Sequence, residues 1–167
     1  MIIVLFIVLL FLSALFSSLE TAFFHIKSLN NVNNNVKNLL KRPKKLLSTL
    51  ITGNTIVNIA IGSLAATYTV NNLSQVYNLS ISTLLIIEVI VVTFLVLVFG
   101  EIIPKTYAIS KSEKLANSSS KIVRVIVFIL YPFAFIFYKI TDLVIKILPI
   151  REEQIFDSEE ELMMLAE

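Results

Sequence analysis

Apolar residues in this chain fall into long, nearly unbroken runs, not the alternation of a half-buried strand or the narrow stripe of a soluble helix. The first run, "MIIVLFIVLLFLSALF", continues through "SSLETAFF" to residue 24. A bilayer core needs ~20 residues of apolar helix, so residues 1–24 are predicted to span it. A cleaved signal peptide fits poorly, because there is no basic leading region and no small-residue cleavage site before polar sequence begins. Residues 25–45 are polar, with "NNVNNNVKN" followed by "KRPKK". Pro43 is expected to open the next helix, where a missing N–H costs nothing.

The second apolar run, about 46–70, is diluted by Gly53, Asn54, Asn58, Gly62 and several hydroxyls. Small and polar residues suit a helix packed against other helices. The third run, about 79–99, is interrupted only by Glu88 and closes on "FGEIIPK" at 99–105. The fourth, "VIVFILYPFAFIFY" at 125–138, has 14 residues with Pro132 near its middle. That length is in the range of an interfacial or re-entrant segment. The expected fold is an all-α integral membrane domain over residues 1–150. It has three transmembrane helices and an amphipathic or re-entrant juxtamembrane helix over about 122–148.

Charge orients this arrangement. Residues 25–45 hold six Lys/Arg, residues 105–124 hold five and residues 71–80 hold none. Basic loops stay on the cytoplasmic side, so three spans with the amino terminus outside place both basic stretches in the cytoplasm. A multi-pass plasma-membrane protein with a cytoplasmic carboxyl end is expected. Residues 151–167 set Arg151 against seven acids and read as the start of an acidic cytoplasmic helical segment.

Composition agrees, with 56% hydrophobic residues, 16% charged residues and a mean hydropathy of +0.85. There is no cysteine and one histidine, His25, which excludes thiolate sites and imidazole clusters. His25 reads as an interfacial residue at a helix end. No nucleotide loop or nucleophile–base pair is present, so the protein is not expected to be an enzyme.

Polar residues inside apolar spans are costly, at roughly +2.5 to +3.5 kcal/mol for an acid at a helix centre, and so they mark function. Ser13 and Ser17 share a face of the first helix with Glu20 one turn further on, and Asn54 and Asn58 share a face of the second. Glu101 ends the third. Hydroxyl, amide, carboxylate and carbonyl oxygens suit Mg²⁺ or Ca²⁺. Pro104 has no N–H, so the Gly100 carbonyl loses its helical donor and can face an ion. Plainer roles exist for the same residues. Serines can bond back to their own helix, the asparagines can join helices, and Glu101 can pair with Lys105 four residues on. Glu88, mid-span, can be protonated, paired between subunits, or a second cation site.

"FSSLETAFF" (16–24), "GNTIVN" (53–58) and "FGEIIPKTYA" (99–108) resemble the transmembrane domain of the CorC/CNNM family of magnesium transport proteins. The resemblance covers roughly residues 1–150, and "GEIIPK" is its most specific part. It implies a homodimer of three-span subunits belted by the juxtamembrane helix, and Mg²⁺ export coupled to Na⁺ entry. It also implies a largely dehydrated Mg²⁺ held by Ser17, Asn58, the Gly100 carbonyl and Glu101, with Ser13 and Asn54 nearby. In the family an acidic segment and a pair of CBS domains follow. The CBS pair, and any nucleotide it binds, is not within these 167 residues. The alternative is a membrane-anchored Mg²⁺ sensor that binds without transporting. A passive channel is disfavoured, since no continuous polar stripe runs through the third helix.

The charge pattern makes a direct prediction. A cysteine at Ser74 will react with an impermeant thiol reagent in intact cells, and one at Asn34 will not. The reverse labelling would invert the topology.

Overall fold

The computed structural model describes residues 2–26, 31–77 and 79–147. Its first helix, α1, is Ile2–Phe24, and a short α2, Asn34–Leu40, follows the polar connection. Asn33 starts α2 as a cap, its side-chain oxygen accepting the Val36 N–H at 2.9 Å, the usual way to satisfy a first-turn donor. Helix α3 is Pro43–Tyr68, with Pro43 in its first turn as expected. A π-helical turn, Thr69–Leu73, and a single turn α4, Ser74–Val76, extend it. Helix α5 is Ile81–Leu95, capped by Ser80, whose hydroxyl accepts from the Thr83 N–H at 3.2 Å. A second π-helical segment, Val96–Ile102, leads into α6, Ile103–Ser110. Helix α7 is Ser112–Ile147.

The all-α membrane architecture expected from the apolar runs is what the fold shows. Four stretches, Ile2–Phe24, Pro43–Val76, Ile81–Ser110 and Ser112–Ile136, are long and apolar enough to cross a bilayer by length and composition.

Element boundaries differ from the sequence reading in two places. Glycine and proline in "FGEIIPK" do not end the third helix: the chain continues through the π segment to Ser110. The juxtamembrane helix expected from about 122 begins at Ser112 and passes through Pro132 unbroken. The stretch 112–121 lies outside the helix expected from the sequence, and its serines and lysines carry little apolar signal. They form instead the polar first turns of α7. The acidic segment at 151–167 lies outside the described residues.

The core forms where α1, α3 and α7 meet. Phe16, Leu19 and Phe23 of α1 pack with Leu50, Val57 and Ile61 of α3 and with Val123 and Val127 of α7. On α7, Ala116, Ser120, Val123, Val127 and Ala134 are buried, a spacing that falls on one helix face. Its opposite face exposes Ile122, Val125, Phe128, Ile129 and Phe133, which suits contact with lipid. Helix α5 is exposed along most of its apolar length.

Polar bonds tie the connection after α1 to the first turns of α7. The Asn33 N–H donates to Asn117 Oδ1 at 2.7 Å, Asn117 Nδ2 to the Asn31 carbonyl at 3.0 Å, and Arg124 to Asn35 Oδ1 at 2.6 Å. Ser112 donates to the His25 carbonyl at 2.8 Å. His25 sits just past the end of α1, its Nδ1 3.1 Å from the Thr21 carbonyl.

The closest packing is between α1 and α3. A methyl group on Gly53 would lie 2.4 Å from the Phe16 ring, so Gly53 admits that ring and larger residues do not. Overpacking a filled core typically costs 1–3 kcal/mol. Gly53→Ala is therefore expected to lower thermal stability in detergent, and Phe16→Leu in the same chain to recover part of the loss. Equal losses with and without Phe16→Leu would place the strain elsewhere.

Candidate functional site: an oxygen cluster between three helices

The register set by Phe16 on Gly53 brings Ser13, one turn earlier on α1, against the adjoining residues of α3. Ser13 Oγ lies 2.7 Å from Asn58 Oδ1 and 3.3 Å from Asn54 Oδ1. Asn58 Nδ2 reaches Glu101 Oε1 of the π segment at 3.4 Å. A methyl group on Gly100 would fall 2.8 Å from Ser13 Oγ, so only a glycine lets the π segment come this close to α1. Ser13, Asn54, Asn58, Gly100 and Glu101 are thus brought together. Ser13 and Ser17 are both fully buried. Ser17, one turn along the same face of α1, has a buried hydroxyl with no hydrogen-bond partner.

The cluster gathers several oxygens around one side chain. Ser13 has one hydroxyl hydrogen, yet two amide oxygens point at it. The unpartnered Ser17 hydroxyl adds a further buried oxygen, and an unmade buried hydrogen bond costs about 1–3 kcal/mol. Hydroxyl and amide oxygens gathered at one point are also the ligand types a hard cation takes. Among the described residues no group of three or more His, Cys, Asp or Glu side chains could hold a metal. A cation here would rest mainly on neutral oxygens and one carboxylate.

The π segment supplies what a regular helix would hide. The Ile103 N–H donates to the Val98 carbonyl, five residues back, and not to Phe99. Pro104 follows with no N–H. The Phe99 carbonyl thus loses the helical donors both four and five residues on, and the Gly100 carbonyl loses the one four residues on. The sequence pointed to Gly100 alone. Freeing Phe99 as well depends on the π register, which no residue pattern announces, although π turns collect at functional sites.

Glu101 is partly exposed, and its other oxygen lies 4.0 Å from Lys105 Nζ, the outer limit of an ion pair. Glu20, on the same face of α1 as Ser13 and Ser17, interacts electrostatically with Lys105 and Glu101. Glu88 is elsewhere. It lines an apolar cleft of about 480 Å³ with Ile2, Phe6, Leu64, Tyr68 and Val92.

The chain matches the family described as the cyclin M transmembrane N-terminal domain over residues 4–167. It belongs to that family, the CorC/CNNM proteins its motifs resemble. It is similar to the UPF0053 inner membrane protein YfjD of Escherichia coli, 30% identical over 151 residues, which covers 85% of this chain and 34% of that protein. A UPF0053 protein of Haemophilus influenzae is 30% identical over 166 residues, covering 92% of this chain and 38% of the relative. The chain spans little more than a third of the length of these two relatives.

The two serines should respond oppositely to truncation when divalent ions are chelated. Ser13→Ala removes the proton that bridges the asparagine oxygens and will destabilise by about 1–3 kcal/mol. Ser17→Ala removes an unpartnered buried hydroxyl and will be neutral or stabilising. Melting temperatures in detergent with EDTA check this, and equal losses would show that Ser17 has a partner.

Proposed function

We propose that this domain carries Mg²⁺ across the membrane. Ser13, Ser17, Asn54, Asn58, the Gly100 carbonyl and Glu101 form its binding site. The observation that carries the reading is the convergence of Ser13, Asn54 and Asn58 oxygens beside Gly100 and Glu101. An octahedron of ligands at the 2.0–2.1 Å typical of Mg²⁺ has edges of about 2.9 Å, and the spacings of 2.7 and 3.3 Å around Ser13 Oγ bracket it. Family membership supports the choice of Mg²⁺ among hard cations. Export driven by Na⁺ entry is the direction we favour, by a homodimer in the plasma membrane.

Three spans remain the topology we propose. Ser112–Ile136 could cross by length and composition, but its unbroken apolar run, 125–138, would reach only about 21 Å at 1.5 Å per residue, short of a ~30 Å core. Placing α7 along the cytoplasmic surface keeps the basic stretches around 25–45 and 105–124 on one side.

Proteoliposomes of the full-length protein, with and without an opposing Na⁺ gradient, test the activity. Flux that ignores sodium removes the exchanger, and Mg²⁺ binding without flux favours the sensor. Glu101→Gln keeps size while removing the charge. One carboxylate facing a divalent ion in a partly desolvated pocket contributes several kcal/mol, roughly, after desolvation. At about 1.4 kcal/mol per tenfold, Mg²⁺ affinity should fall on the order of a hundredfold. Pro104→Ala, which restores an N–H that competes for the freed carbonyl, should act more mildly. A Glu101→Gln protein that binds and moves Mg²⁺ like the parent would show that the site is misplaced.

A further inference from the structure

Where α2 meets α3, a second cavity of about 350 Å³ opens on the basic end of the bundle. Its polar wall carries Lys41, Arg42 and Lys45, and its apolar wall Leu39, Leu46 and Val127. Among the described residues no carboxylate pairs with these three cations. Lys45 Nζ sits 3.5 Å above the centre of the Tyr131 ring of α7, a cation–π contact that holds the ammonium at the cavity. Helix α3, 26 residues long, starts here with no side-chain cap on its N-terminus, so its positive end adds to the field.

We propose that this cavity binds the phosphate of an anionic glycerophospholipid. Three cations around a concave opening match a phosphate, and basic pockets between helices at a membrane surface take such headgroups. A soluble phosphate needs no apolar wall. Here Leu39, Leu46 and Val127 line the same cavity as the cations. A molecule with a charged head and apolar chains satisfies both surfaces. The lipid joins α3, which carries Asn54 and Asn58, to α7 at the membrane boundary.

Native mass spectrometry of the full chain with dioleoyl phosphatidylglycerol and dioleoyl phosphatidylcholine tests the assignment. The parent should retain phosphatidylglycerol preferentially. Lys41→Gln, Arg42→Gln and Lys45→Gln together should cut that preference on the order of tenfold or more. The same charge change made at Lys111, Lys114 and Lys121 should leave it intact. Asn38→Trp, which fills the cavity and keeps every cation, should also abolish it, with the melting temperature confirming a folded protein. Equal loss in the two triple variants would mean diffuse attraction and overturn the site. Displacement of the lipid by millimolar inorganic phosphate or glycerol phosphate would make the ligand a soluble phosphate and overturn the lipid.

Discussion

The seating of the Phe16 ring on Gly53 is the contact on which the rest of the site depends. Helices in a bilayer gain nothing from expelling water between them, so close approach must come from small residues and van der Waals packing. Gly53 supplies that approach at one point, where any Cβ would enter the ring. Asn54 is the next residue and Asn58 one turn further, while Ser13 is one turn from Phe16. One steric contact therefore fixes the distance at which hydroxyl and amide oxygens meet. Gly100 repeats the device on the other side of Ser13, and the two glycines together bring three helices within ligand distance of one side chain.

Backbone chemistry sets the second condition. In hydrocarbon every N–H and C=O must be satisfied, and irregular backbone survives only where protein or a cavity receives it. The π segment with Pro104 leaves carbonyls without helical donors at the level of the oxygen cluster. Gly100 is buried there, so its carbonyl meets protein and not lipid. Wide helical turns and a proline would be a defect on the exposed face of α5, and beside Ser13 they leave carbonyl oxygen available to the proposed site.

Much of this was legible in the sequence because bilayer thickness fixes how long an apolar helix must be. Ser13, Ser17, Asn54, Asn58 and Glu101 stood out as polar residues in apolar runs, and α1 and α3 bring three of their oxygens into reach of each other. Continuity was harder to read. Proline and glycine in "FGEIIPK" look like a stop signal, yet the helix continues through them in a π register, with the Ile103 N–H on Val98 and the Phe99 carbonyl left free. The polar start of α7 was hidden for a related reason. Asn117 and Ser120 are satisfied by Asn33 across the fold, and a partner more than eighty residues away leaves no local trace. Lys41, Arg42 and Lys45 were read only as a topology signal, because concavity is a property of packed helices and not of a charge count.

The balance of charges in the cluster bears on what it can do for the proposed transport. Sites that hold a divalent ion permanently gather several carboxylates, and affinity rises with their number. Here Glu101 is the carboxylate in contact with Asn58. It is held loosely, with Asn58 at 3.4 Å and Lys105 at 4.0 Å. Long contacts cost little to break, so the carboxylate can turn to a cation without losing a strong partner. Lys105 is one turn away along the chain, at 4.0 Å, so in the proposed site its charge would be at hand for the carboxylate when no ion is bound. A site built to keep its ion would have no use for a lysine at that position. One that must bind on one side of the membrane and release on the other needs both the weak grip and the replacement charge.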